Sequence, residues 1–158
     1  MSSKRRSLHL FPSLTRAVRL FIAGSSLFSQ RVAEKLGLHP TDMQFLNLLD
    51  LLGPMTPGTL AQCSGLSSGG VTVVLDRLEK AGYVRRSSNP SDRRSVLVGL
   101  VPALHKKVMG NYDSVQKQFE GVMNDFPDEE LEIILRFFSA ANTTRPSALQ
   151  GRAKQDAP

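Results

Sequence analysis

Between residues 40 and 82 helix start and stop signals follow one another so closely that three short helices must be joined by almost no chain. Pro40 suits a first helical position, and Asp42 in the first turn favours the positive end of the helix dipole. Met43, Phe45, Leu46, Leu48, Leu49 and Leu52 then recur at helical spacing until Gly53. Thr56-Pro57 repeats the start signal for a very short helix through Cys63, stopped by Gly65. Ser67 or Ser68 caps a third helix with Val71, Val74, Leu75 and Leu78 inward and a stop at Gly82. The period then changes. Tyr83–Arg86 and Ser95–Val98 read as short strands around Ser87–Asp92, a stretch dense in turn formers. Three tightly joined helices followed at once by a hairpin leave few architectures open, and the hairpin reads as a wing.

The flanks are helical. Phe11, Leu14, Val18, Phe21, Phe28 and Val32 mark one face of a long helix to about Leu36, weakened at Gly24-Ser25-Ser26. From Pro102 to Phe126 a second long amphipathic run carries Leu104, Val108, Tyr112, Val115, Phe119 and Val122. Asp128-Glu129-Glu130 opens a last helix with Leu131, Ile134, Leu135, Phe138 and Ala141 apolar. The fold class is therefore mainly α with a small β wing, and residues 145–158, polar with two prolines and a glycine, read as a loose tail.

Charge narrows the function. The chain of 158 residues has a formal net charge of +6, a balance that favours polyanions. The excess is local. Residues 1–39 carry seven Lys/Arg against one acid and residues 71–100 six against three, whereas residues 40–70 have no Lys or Arg and two Asp, and residues 101–158 seven against eight. A single cysteine, Cys63, excludes an internal disulfide and a Cys-rich zinc site. No cofactor or metal is expected, since His9, His39 and His105 show no paired spacing. No apolar run approaches the ~18 residues of a membrane span, so a cytoplasmic location without a membrane partner is expected. No Gly-rich phosphate loop or nucleophile elbow suggests an enzyme.

Residues 56–98, TPGTLAQCSGLSSGGVTVVLDRLEKAGYVRRSSNPSDRRSVLV, resemble the core of MarR-type regulators. The matching elements are Ser67-Ser68-Gly69, then Leu75-Asp76-Arg77-Leu78 with Gly82, then Asp92-Arg93-Arg94. The resemblance implies a winged helix-turn-helix over 40–100, embedded between dimerisation helices at 8–36 and 102–143 as one domain. It implies a transcriptional repressor that binds a pseudo-palindromic site on double-stranded DNA as a homodimer. On that reading Ser67, Ser68, Gly69, Gly70 and Thr72 meet the major groove, because hydroxyls reach phosphates or base edges and glycines let the backbone come close. Arg77, Arg85, Arg86 and Arg93 add charge, and the second arginine of the wing, Arg94, enters the minor groove with Asp92 holding it in place. Ser67 and Ser68 also have an ordinary reading as caps, and Asp92 as part of a local ion pair.

Regulators of this type bind small aromatic or amphipathic effectors near the dimerisation helices. Leu14, Val18, Phe21, Phe45 and Leu49 are the implied lining, with Arg16 or His9 meeting a carboxylate. Cys63 reads as a small core hydrophobe rather than a redox switch. The sequence departs from the family at Val73 and Val74, commonly polar or basic, at Gly70, commonly Ala, and at Val101, commonly a capping Thr. The valines keep open an alternative: a ligand-binding or interaction protein of the same fold without operator recognition.

Overall fold

A computed structural model of the protein describes residues 9–142, so the tail expected at 145–158 lies outside the described residues. The chain divides after Met43 into two units. The first holds helix α1 (Leu10–Leu36), which Gly37 ends with φ 68° while donating its N–H to Glu34 O at 3.1 Å. Helix α2 (Pro40–Leu52) starts here in a reciprocal cap. The His39 N–H donates to Asp42 Oδ2 at 2.9 Å, and His39 Nδ1 accepts from the Thr41 N–H at 3.2 Å. This occupies donors that the first helical turn leaves free. Many large apolar side chains of α1 are exposed, among them Leu10, Leu14, Leu20, Ile22 and Leu27.

The second unit runs from the body of α2 through α3 (Pro57–Ser64), α4 (Ser68–Lys80), β1 (Val84–Ser88), β2 (Val96–Leu100), α5 (Pro102–Met109), α6 (Asp113–Met123) and α7 (Asp128–Asn142). Of the residues the helical spacing selects here, Phe45, Leu46, Leu49, Val71, Val74, Leu75 and Leu78 are buried and Leu48 and Leu52 half-buried, and Leu60, Tyr83, Val84, Val98 and Val108 join the core. Each such side chain contributes roughly 1.5–3 kcal/mol on burial. The joins are set by capping. Thr56 accepts the Thr59 N–H at 3.1 Å with Pro57 behind it, and Gly65 closes α3 at φ 72°. The imidazole of His105 on α5 meets Asp50 Oδ1 on α2 at 2.8 Å.

Two expectations shift. The strands sit later than the sequence spacing indicates, because Tyr83 belongs to the end of α4: its N–H donates to Leu78 O at 2.9 Å and the Gly82 N–H to Glu79 O at 2.9 Å. That closure needs a left-handed residue, and Gly82 supplies it at φ 78°, where a Cβ would also press within 3.3 Å of Leu104. The antiparallel ladder then runs to Ser87↔Leu97 and Ser88↔Val96. The long run expected from Pro102 to Phe126 is broken at Gly110–Tyr112. Gly110 weakens the helix there, and the Asn111 amide donates to Lys107 O at 2.9 Å and Val108 O at 3.3 Å, satisfying the carbonyls that the break frees.

Candidate nucleic-acid interface

Helix α4 has two sides of opposite character. Val71, Val74, Leu75 and Leu78 are buried, whereas Ser68, Gly69, Thr72, Val73, Asp76 and Arg77 are exposed. The helix is amphipathic at a period of 3.6, so a residue's helical phase alone decides its side. Val74 is thus a core position, and Val73 is the departure that faces outward. Ser67 is the cap: its Oγ accepts from the Gly70 N–H at 3.2 Å. Among the described residues the Ser68 hydroxyl has no hydrogen-bond partner, while Thr72 donates to Ser68 O at 3.0 Å.

The wing lies against this helix. Alternation along β1 places Arg85 and Arg86 on opposite faces. Arg85 is exposed, opposite Gly99 in the ladder, and Arg86 stands opposite the buried Val98. The Arg86 guanidinium joins Asp76 at 2.7 Å and also Glu79, and its backbone N–H donates to Glu79 Oε1 at 3.2 Å. Its side chain is 30% exposed. The Asp76 hydrogen bond, against an opposing effect of burial and with help from the Glu79 charge, raises the Arg86 pKa above its usual value. Two of the Arg86 guanidinium nitrogens are thus engaged inside the unit, fastening β1 to α4, a structural role the sequence reading did not assign to it. The clue in the sequence was an Asp and a Glu one turn apart just upstream, both on the helix that the strand follows.

Arg86→Ala is expected to lower stability by about 1 kcal/mol, modest because the pairs are part-exposed. With its charge matched by Asp76 and Glu79, Arg86 is expected to act on DNA binding through the seating of the wing, so the variant should bind more weakly with an unchanged salt dependence. Thermal melts and titrations at several salt concentrations read both, and a shallower salt slope would return Arg86 to the phosphate contacts.

The wing tip is held by its backbone. Asp92 Oδ1 accepts the Arg94 N–H at 3.0 Å, Asn89 Oδ1 accepts the Ser91 N–H at 3.0 Å, and the Asn89 amide donates to Ser95 Oγ at 2.8 Å. Asp92 thus shapes the turn through the main chain of Arg94, not through an ion pair with its guanidinium. Among the described residues no carboxylate pairs with Arg85, Arg93 or Arg94, and all three are exposed. The loop residue Met55 exchanges N–H···O bonds with Val98 at 3.1 and 2.9 Å, so a third segment stiffens the ribbon.

The other expected residues fall in both units. Leu14, Arg16, Val18 and Phe21 lie on α1 in the first unit, while Phe45 and Leu49 are buried core of the second at 0% and 2% exposure. An open cleft of about 490 Å³, lined by Leu52, Met55, Thr56, Thr59, Pro90 and Leu97 among others, includes none of them. Cys63 is half-buried, and burial pushes its thiol pKa up, which lowers thiolate reactivity. Among the described residues no three of His, Cys, Asp and Glu come together as a metal site, and no helix is long and apolar enough to cross a membrane.

Comparison with known proteins agrees with this geometry. Residues 36–95 match the pattern described as the MarR family. The chain is 36% identical over 155 residues to YcgE of Bacillus subtilis, an HTH-type transcriptional regulator, covering 98% of this chain and 100% of that one. In fold it is similar to the transcriptional regulator Tm0710 of Thermotoga maritima, with a TM-score of 0.61 at 23% identity over 84% of this chain and 94% of that one. A MarR family protein from Bacillus stearothermophilus aligns with a TM-score of 0.65 at 20% identity, covering 86% and 95%.

Proposed function

The chain belongs to the MarR family of DNA-binding transcriptional regulators, which are not enzymes, and from that premise we propose that it is a cytoplasmic homodimeric repressor docking on a pseudo-palindromic operator. The observation that carries the reading is the display of Arg85, Arg93 and Arg94, exposed and without carboxylate partners among the described residues, on a ribbon fastened beside the outward face of α4. In such a complex Ser68, Gly69, Thr72 and Arg77 line the major groove, with Ser67 and Gly70 shaping the helix start. The wing arginines take phosphates, and Arg94 the minor groove.

Dimerisation is supported by apolar side chains left exposed on α1, α6 and α7, including Leu135 at 63%. Chains that work alone seldom leave so much apolar surface in water. A two-fold pair sets its reading helices at successive major grooves, roughly 34–36 Å apart. Relief by a small aromatic or amphipathic effector belongs to the same proposal, with Leu14, Val18 and Phe21 of α1 as apolar contacts and Arg16 for a carboxylate.

Titrating labelled duplex from upstream of the chain's own gene at several salt concentrations tests the reading. Affinity in the nanomolar range or tighter is expected, with log K falling linearly against log salt. Micromolar binding that is the same for every sequence would overturn operator recognition.

A further inference from the structure

We infer that the outward face of α4 reads thymine methyl groups, so that each operator half-site is chosen at A·T pairs by apolar contact with Val73 and Thr72. The inference rests on the DNA-docking reading above and adds what that docking selects. Three observations converge on it. First, the amino-terminal part of the helix, Ser68–Asp76, which in a reading helix meets the base edges, contains no Lys, Arg, Asn or Gln, the side chains that bind guanine or adenine edges bidentately; Arg77, the first of them, comes only after it. The one charged group there, the Asp76 carboxylate, is taken by Arg86. Second, Val73 is 60% exposed at the centre of that face among the described residues. Thr72, beside it and exposed, spends its hydroxyl on Ser68 O at 3.0 Å, which leaves the methyl as the group it has to present.

Third, Gly69 precedes Val73 by one turn. It is not among the glycines of positive φ, and a Cβ built on it meets nothing within 4 Å. The fold therefore has no need of a glycine there, and a helix would be more stable with alanine. The vacant space serves a partner that approaches the backbone closely. In the major groove the C5-methyl of thymine is the apolar feature, and an apolar side chain is its natural counterpart.

Duplexes enriched from a random library by the full-length protein supply the probe. Each thymine in the selected half-sites is then replaced by uracil, which removes the methyl and leaves the base pair intact. Loss of one buried methyl corresponds to about a fourfold weakening, expected at one or two positions per half-site. In Val73→Ala, an exposed change that leaves the core alone, the penalty at one of those positions should fall toward none. A protein that binds its selected duplex tightly but is indifferent to uracil at every position overturns this inference and leaves the docking intact. One that enriches no duplex overturns the docking and the inference together.

Discussion

Alanine in place of Arg94 is expected to weaken operator binding by about tenfold or more while leaving the fold and the dimer unaltered. The magnitude follows from an arginine contact worth roughly 1–3 kcal/mol. The structural reason for a clean effect is the wing tip. The turn is shaped by the Asp92 carboxylate on the Arg94 N–H and by the Asn89–Ser95 bonds, none of which uses the arginine side chain. Removing the guanidinium therefore takes away a displayed charge and little else, and stability should stay within about 0.5 kcal/mol, as for other surface changes. A cation lodged in the minor groove also displaces counterions, so with two copies in the complex the slope of log K against log salt should shrink, by about 2 at most. Arg94→Lys should recover most of the slope but not all of the affinity, because lysine lacks the planar fork. A variant that binds as tightly and with the same slope as the parent removes the wing from the interface.

A glutamate at Phe138 is expected to separate the two copies. Phe138 is exposed on α7 with Ile133, Ile134, Leu135 and Phe137, its ring lying edge-on to that of Phe137 at 5.4 Å between centroids. Within one chain a charge at so open a site costs little. Inside a dimer interface it would be an unpaired buried carboxylate, several kcal/mol uphill, besides the roughly 1.5–3 kcal/mol lost from the ring itself. Sedimentation at micromolar concentration should give a dimer for the parent and a monomer for Phe138→Glu. Operator affinity should fall steeply with it, since each half-site must then be bound alone. A variant that sediments as a dimer places the subunit contact elsewhere.

Much of this architecture could be read from the residue order. Pro40, Thr56-Pro57, Ser67, Gly65 and Gly82 act within one turn of themselves, and local signals of that kind survive tertiary context. The wing was legible for the same reason, from the Asn-Pro-Ser-Asp turn. The break at Gly110–Tyr112 was hidden because Val108, Tyr112 and Val115 keep an apolar spacing of three or four across it, so periodicity registers one helix where there are two. Arg85 and Arg86 look alike in the sequence, and only the pleat of β1 separates an exposed cation from a fastened one. Val73 and Val74 differ likewise by phase alone. The effector residues were the least legible, because an apolar residue that lines a cavity and one that fills the core, as Phe45 and Leu49 do, have the same composition and spacing.

Helix α4, strand β1 and the segment at Met55 are tied by three kinds of bond: the apolar side of α4, the double grip on Arg86, and the main-chain exchange between Met55 and Val98. The groove-reading helix and its ribbon consequently cannot be adjusted independently when they meet a duplex. Their mutual angle is fixed during folding, so little conformational freedom remains to be surrendered at the moment of contact, and tight association needs fewer contacts than a floppy ribbon would demand. Such stiffness is expected to penalise duplexes whose groove width is wrong, which would turn the mechanical shape of DNA into a criterion for choosing where to sit.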